Sequence, residues 1–128
     1  MDYSLKIGAS YIAEKIVGEH DTAAFMGSGA VTVFATPAMI LLMELAARNA
    51  VQGSLPEGST TVGTLVNVQH LSATPLGAKV SATAVLRQID GRKLTFDIEA
   101  RDENGVIGSG VHERAIIDVE RFMAKLVK

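Results

Sequence analysis

The chain has 128 residues, a formal net charge of -2 and no cysteine. Its length predicts one domain, residues 1–128, and its twelve lysines and arginines are scattered along the sequence, so nucleic acid is not an expected partner. Without cysteine there is no disulfide, thiolate nucleophile or cysteine-based zinc site, so the chemistry must come from oxygen and nitrogen groups.

The amino-terminal residues lack a basic stretch followed by an apolar one, which is the pattern of a secretory leader. The longest apolar stretch, residues 37–43, is too short to cross a bilayer. The sequence therefore predicts a cytoplasmic protein that does not enter a membrane.

The first half of the chain predicts a strand, a loop and one long helix. Residues 5–17 are rich in β-branched side chains and end at Gly18, which indicates a strand. Residues 19–35 show no sustained period, which indicates a loop. Thr36 and Pro37 are typical of a helix start, with the hydroxyl at the N-cap and the proline at the first helical position. The helix should cover about residues 36–52.

That helix is unusually apolar. Between Ala38 and Val51 only Glu44, Arg48 and Asn49 are polar, so apolar side chains nearly encircle it. Such a helix must be covered on most of its surface by other parts of the protein.

The second half of the chain predicts four strands. Within residues 60–72, Val62, Val66, Val68 and His70 occupy alternate positions, and we predict that they share the inner face of a sheet. Residues 79–89, 92–102 and 106–117 form a meander joined by Asp-Gly and Asn-Gly turns. Asp118 is placed to cap a short C-terminal helix.

This order of elements predicts an α+β fold in which an antiparallel sheet wraps around the central helix, a layout that resembles the hotdog fold. A single copy would leave a strand edge and part of the apolar helix uncovered. Pairing two copies would cover both, so we expect a homodimer.

Three polar side chains are predicted at positions where burial is costly: Thr36, Glu44 and His70. Each also has a purely structural interpretation. Thr36 suits an ordinary N-cap, Glu44 is spaced for an ion pair with Arg48 four residues later, and His70 suits a hydrogen-bonded core histidine. Only their combination points to chemistry.

Several motifs carry a resemblance to a known family. They are Val33-Phe34-Ala35-Thr36-Pro37, Leu42-Met43-Glu44, Gly63-Thr64, His70 with Ala73-Thr74-Pro75, and Gly108-Ser109-Gly110-Val111-His112-Glu113-Arg114-Ala115. They cover nearly the whole chain and resemble the fluoroacetyl-CoA thioesterase-like branch of the hotdog thioesterases.

The resemblance implies hydrolysis of an acyl-CoA thioester by a catalytic set at Thr36, Glu44 and His70. It also implies substrate binding at Gly63 and Arg114, and it implies no metal and no cofactor beyond the CoA part of the substrate. From the residues alone, Gly63 is equally suited to close strand packing, and Arg114 to pairing with a neighbouring carboxylate.

The loop before the helix departs from the fluoroacetyl-specific pattern, which has bulky aromatic residues where this chain has Ser28, Gly29 and Ala30. We therefore expect a small or short-chain acyl group without selectivity for fluorine.

The catalytic set leads to a hypothesis about assembly. Eight helical residues span about 12 Å, so Thr36 and Glu44 of one chain cannot touch. We hypothesise a composite site to which a second subunit contributes one group. His70 is the candidate base, while Thr36, Glu44 or a water is the nucleophile. The alternatives are a hotdog module that binds acyl-CoA or a small apolar ligand without turnover, and a hydratase or dehydratase.

Overall fold

The structure, a computed structural model, describes residues 4–127; the predicted domain also includes residues 1–3 and 128, which lie outside the described part. The strands are β1 (Ser10–Ile16), β2 (Ser59–His70), β3 (Lys79–Asp90), β4 (Lys93–Asp102) and β5 (Gly105–Asp118). The helices are α1 (Ala23–Met26), α2 (Thr36–Gln52) and α3 (Val119–Ala124). The predicted order of strands and long helix is confirmed, and the predicted loop before α2 contains a 3-10 turn (Glu19–Asp21) and α1.

All neighbouring strands are antiparallel, in the order β1-β3-β4-β5-β2. The two predicted turns connect β3 to β4 and β4 to β5. Gly91 and Gly105 have φ values of 61° and 127°, which glycine adopts without steric cost. The meander therefore follows from local turn chemistry.

Helix α2 lies against the inner face of the sheet and packs mainly on β1 and β3. Its buried side chains, which include Met39 and Met43, contact a sheet face made of small and branched apolar residues. At Gly108 on β5, an added Cβ would come within 2.6 Å of Met39 Sδ, so the absent side chain allows the close packing of strand and helix. The central, sheet-covered helix predicted from the sequence is confirmed.

One side of this arrangement is open. Leu41 and Leu45 on α2 are 66% and 42% exposed, and Leu65 and Val66 on β2 are 42% and 40% exposed. Strand β2 is at the edge of the sheet and pairs only with β5 within the described residues. Apolar helix surface and an unpaired strand edge therefore coexist in the single chain.

Strand β2 also contains a bulge. Its pairing with β5 is in register up to Gly63 and resumes at Leu65, so Thr64 has no partner residue on β5. Because side chains alternate along a strand, the extra residue lets Gly63 and His70 face the same side. His70 lies on the inner face as predicted, but Val62 faces outward, so that part of the prediction is wrong.

Candidate active site

Two of the predicted site residues meet at the start of α2. The Oγ1 atom of Thr36 lies 2.8 Å from Nδ1 of His70, at the end of β2. The N-cap of α2 is Ala35, and no side chain caps the helix. The predicted N-cap role of Thr36 is therefore wrong: the helix covers Thr36–Gln52 as predicted, but Thr36 is its first helical residue, and its hydroxyl bonds the imidazole instead of a backbone N–H.

His70 is half-buried, and burial lowers its pKa below the ordinary value of 6.5, an effect partly opposed by the backbone of Ser72. The imidazole is therefore neutral at neutral pH. Its Nε2 atom is enclosed and has no hydrogen-bond partner within residues 4–127. With the hydrogen on Nε2, the Nδ1 lone pair accepts a hydrogen bond from the Thr36 hydroxyl. This is the arrangement in which an imidazole can remove the hydroxyl proton.

A cavity of about 280 Å³ opens beside this pair. Its wall consists mostly of small side chains and backbone from the loops before α2 and after β2, and includes Ala23, Ser28, Val33, Phe34, Ala35, Leu71, Ser72 and Ala73. The hydroxyl and the imidazole therefore border a space that a small acyl group can enter.

Glu44 and Arg114 belong to a second group of polar residues. Arg114 is 5% exposed; its Nε donates to Thr61 Oγ1 at 2.7 Å, and its Nη2 donates to the Thr61 carbonyl oxygen at 2.8 Å. Its Nη1 lies 3.5 Å from Glu44 Oε2. Burial lowers the pKa of Arg114, the nearby Glu44 opposes that shift, and Arg48 adds to it. Arg114 thus places a fixed positive charge beside the carboxylate.

The simpler pairings considered for these residues are not formed within the described part. Arg48 donates to Asn49 at 3.4 Å, so the ion pair expected between Glu44 and Arg48 is absent. Glu113 pairs with Lys93 at 3.3 Å, and Asp118 caps α3 as predicted by accepting from the Arg121 N–H. The Arg114 side chain faces inward and therefore contacts the carboxylate of Glu44 on α2.

Gly63 lies directly against the Glu44 carboxylate. A Cβ at this position would approach Glu44 Oε2 to 2.7 Å, His112 Cε1 to 3.3 Å and Arg114 Nη1 to 3.5 Å. The lack of a side chain therefore creates the space in which the carboxylate sits.

His112 was not predicted as a site residue. It is 0% exposed, its Nδ1 lies 2.7 Å from the Leu65 carbonyl oxygen, and its Nε2 lies 3.2 Å from Arg114 Nη1. Counting by two along β5 from Arg114 would have placed it on the same inner face, so strand alternation contained the signal.

The five predicted site residues thus form two groups in one chain. Thr36 and His70 form a hydroxyl–imidazole pair, and Glu44, Gly63 and Arg114 form, with His112, what we term the carboxylate cluster. No hydrogen bond or ion pair joins the two groups within residues 4–127. The Glu44 side chain is 38% exposed, so the cluster is accessible from solvent.

No helix in the described part of the chain is long and apolar enough to cross a membrane. Among the same residues, no group of three or more carboxylate or imidazole side chains is arranged to hold a metal ion.

The fold is that of hotdog-fold thioesterases. The chain is similar to the solved structure of the fluoroacetyl-CoA thioesterase FlK, with a TM-score of 0.89 and 36% identity over 96% of both chains. It is also similar to a thioesterase superfamily member from Thermus thermophilus, with a TM-score of 0.87 and 30% identity over 94% of this chain and 90% of that one.

Sequence comparison narrows the class to one family. Residues 17–120 match the model of the fluoroacetyl-CoA-specific thioesterase family. The fluoroacetyl-CoA thioesterase of Streptantibioticus cattleyicolor is 46% identical over 94 residues, which are 73% of this chain and 68% of that protein. The chain belongs to the fluoroacetyl-CoA-specific thioesterase family, and the resemblance inferred from its motifs is confirmed.

Proposed function

We propose that this protein, a single domain over residues 1–128, hydrolyses a small or short-chain acyl-CoA to the free acid and CoA. The observation that carries the proposal is the 2.8 Å contact between Thr36 Oγ1 and His70 Nδ1 beside a cavity at the start of α2. A variant of FlK, 37% identical to this chain, has been solved in complex with fluoroacetate and CoA, which supports a CoA ester as substrate.

In the first step, Nδ1 of His70 removes the Thr36 hydroxyl proton as Oγ1 bonds to the thioester carbonyl carbon. The resulting tetrahedral intermediate collapses by breaking the carbon–sulfur bond. The proton held by His70 then passes to the departing CoA sulfur. The acyl group remains on Thr36 as an ester, and the imidazole is neutral again.

The start of α2 supplies donors for the charge that develops on the carbonyl oxygen. The N–H groups of Thr36 and Ala38 lie in the first helical turn, where no backbone carbonyl of residues 4–127 accepts from them, and Pro37 between them has no N–H. The positive end of the helix dipole lies at the same place. Donors fixed in this way stabilise an oxyanion more than a neutral carbonyl.

In the second step, water gives a proton to Glu44 as its oxygen bonds to the acyl carbon, the bond from that carbon to Thr36 Oγ1 breaks, and the proton returns to Oγ1 as the carboxylic acid leaves. We assign Glu44 to the orientation and activation of that water. Arg114 lies next to the carboxylate and restrains its position, and a carboxylate oxygen can accept a proton from water.

This assignment requires the two groups to meet, and a homodimer can bring them together. Thr36 and Glu44 are separated by about 12 Å along one helix. The exposed apolar surface lies on the side of α2 that carries Leu41 and Leu45 and along the edge of β2. We propose that a second copy covers that surface and that the Glu44 of one protomer then reaches the hydroxyl–imidazole pair of its partner.

The size of the acyl group follows from the cavity beside the pair. A volume of about 280 Å³ lined by residues such as Ser28 and Ala73 accommodates an acyl group of a few carbons with the end of the pantetheine arm. No aromatic side chain from residues 28–30 enters it, so we expect acetyl and propionyl groups to be accepted without preference for fluorine.

The first experiment measures thiol release from a panel of acyl-CoAs. We expect turnover of short acyl chains, and losses of about 100-fold or more in kcat for His70→Asn and Thr36→Val. Thr36→Ser, which keeps the hydroxyl, is the matched control and should keep most of the activity. Release of no CoA from any substrate, with CoA binding retained, would support the non-catalytic binding module instead.

The nucleophile is tested by rapid quenching and mass spectrometry of the acylated protein. The proposal places the acyl group on Thr36. An adduct on Glu44 would transfer the nucleophilic role to the carboxylate, and turnover without any adduct would support direct attack by water.

The composite site is tested by mixing two inactive variants, Thr36→Val and Glu44→Gln, and allowing subunits to exchange. If each site combines Thr36 from one protomer with Glu44 from the other, every mixed dimer contains one intact site. Complete exchange should then restore about a quarter of wild-type activity, because half of the dimers are mixed and each has one of two sites intact. No recovery would show that each site uses one chain only.

The cytoplasmic location expected from the sequence stays a prediction, which fractionation of cells that express the protein can test.

A further inference from the structure

His112 is a buried histidine whose hydrogen bonds define its protonation. A carbonyl oxygen only accepts, so the contact of 2.7 Å with Leu65 requires a hydrogen on Nδ1. A guanidinium only donates, so the contact of 3.2 Å with Arg114 Nη1 requires a lone pair on Nε2. The two contacts are satisfied together only by the neutral imidazole with its hydrogen on Nδ1.

The surroundings of His112 favour that neutral form. The charged groups near its ring are Arg114 on its own strand and Glu44 on α2; β2 contributes the Leu65 carbonyl, and β4 contributes the ring of Phe96 at 6.3 Å. Burial lowers the pKa of His112, and the positive charge of Arg114 lowers it further, while the Leu65 carbonyl and Glu44 oppose the shift.

The acceptor on His112 completes the restraint of the Arg114 guanidinium. Two of its nitrogens, Nε and Nη2, donate to Thr61. The third, Nη1, has two hydrogens, and the structure gives it two neighbours: His112 Nε2 at 3.2 Å and Glu44 Oε2 at 3.5 Å. When one Nη1 hydrogen forms a hydrogen bond with the His112 imidazole, the other points toward the Glu44 carboxylate, because the guanidinium is planar and its N–H directions are fixed.

The Leu65 carbonyl, which contacts His112 Nδ1, also has a defined position in the fold. Leu65 is the residue at which strand pairing resumes after the bulge that follows Gly63. His112 therefore makes two contacts around Glu44. It contacts the bulge, which sets the space around the Glu44 carboxylate, and it contacts Arg114, which lies beside the same carboxylate.

We infer that His112 is a positioning residue for Glu44: as a neutral hydrogen-bond acceptor, it holds Arg114 in the orientation that presents Nη1 to the carboxylate. The inference rests on the proposed function, because it assigns Glu44 a role in turnover. Protonation of His112 would remove the acceptor and place two donors against each other, so the arrangement is lost in acid.

The test compares two substitutions. His112→Gln keeps a donor and an acceptor on one side chain, whereas His112→Leu keeps volume and removes both. We expect His112→Leu to lower kcat for acetyl-CoA by about tenfold or more, with KM falling in parallel because Glu44 acts after CoA release, and His112→Gln to recover most of that loss. Equal losses in both variants, or full activity in His112→Leu, would overturn the inference. Inactive wild type would instead refute the proposed function.

Two further measurements test the inference. If His112 acts through Arg114, adding His112→Leu to an Arg114→Met protein should change kcat by less than twofold, whereas independent effects would multiply. In addition, nitrogen NMR of the wild-type imidazole should show the hydrogen on Nδ1 at neutral pH. A hydrogen on Nε2, or a doubly protonated ring, would contradict the proposal directly.

The acid limb of the pH profile provides a readout that a purely structural role would not change. Glu44 acts after CoA release, so its positioning by His112 is reported by kcat. In wild type kcat should fall as His112 takes up a proton in acid, and in His112→Gln, which has no titrating side chain at this position, that fall should be smaller. An equal fall in both proteins would show that protonation of His112 does not affect turnover.

Discussion

Gly63→Ala is the smallest change that should disturb the carboxylate cluster. The added Cβ would lie 2.7 Å from Glu44 Oε2, whereas ordinary contacts begin at 3.4 Å, so the oxygen must move back by about 0.7 Å. The other neighbours, His112 Cε1 and Arg114 Nη1, are 3.3 Å and 3.5 Å away and leave little room for the methyl group. The carboxylate is the end of a flexible side chain, so Glu44 should move first.

Such a displacement should affect turnover much more than folding. A shift of about 1 Å in a catalytic group can lower a rate by about 100-fold, so we expect kcat for acetyl-CoA to fall by about 10- to 100-fold. Rotation of Glu44 relieves the clash, so the free energy of unfolding should change by less than about 1 kcal/mol. In a Glu44→Ala protein, Gly63→Ala should have almost no further effect on kcat, because the group that it displaces is absent.

The assay is thiol release from acetyl-CoA, paired with urea unfolding of the same preparations. Gly53→Ala is the matched control: Gly53 ends α2 with a φ of -66° and has no atom within 4 Å of an added Cβ. That variant should keep wild-type kcat. If Gly63→Ala also retains wild-type kcat, or loses activity only in proportion to unfolded protein, the space at Gly63 does not serve the carboxylate.

Three other predictions concern assembly and stability. Leu41→Lys charges the exposed face of α2, where Leu41 is 66% exposed, and should convert the proposed dimer to monomers in sedimentation; a dimer that stays intact would mean that another face mediates pairing. Thr74→Val removes a buried hydroxyl that donates to Asp102 at 2.7 Å and should cost about 1.5–3 kcal/mol in urea unfolding, whereas a smaller loss would show that the bond is dispensable. The free energy of unfolding should be highest above about pH 6.5 and should decrease as pH falls, because burial lowers the pKa of His70 and His112 and the unfolded chain therefore takes up protons first. His112→Gln should weaken this pH dependence, and an equal dependence in both proteins would contradict the burial argument.

Much of the fold could be predicted because local signals and the global arrangement agree. The Asp-Gly and Asn-Gly turns fix the meander, and the nearly all-apolar helix requires a sheet around it. The role of the Thr36 hydroxyl was harder to predict, since a threonine before proline looks the same in sequence whether its hydroxyl caps the helix or reaches a histidine 34 positions away.

The site was only partly predictable for a related reason. The β2 bulge is not marked by any turn residue, so simple alternation placed Val62 on the wrong face. Glu44 has an arginine at the favourable helical spacing, yet it contacts Arg114, which is distant in sequence and close in space. His112 lies two positions before Arg114 on β5, so alternation along the strand placed it on the same inner face, but no motif marked it as a site residue.

At Thr64, the unpaired residue of the β2 bulge, the presence of a residue matters more than which amino acid it is. Thr64 is exposed and has no partner residue on β5, so most side chains should be acceptable there. Deleting Thr64 would reverse the faces of the residues that precede it in β2, so Thr61 would lie away from Arg114 and Gly63 away from Glu44. In a library that combines substitutions with single-codon deletions, substitutions at Thr64 should be tolerated better than at most other positions of β2. Deletion of Thr64 should be tolerated worse than deletion of most other residues of the strand.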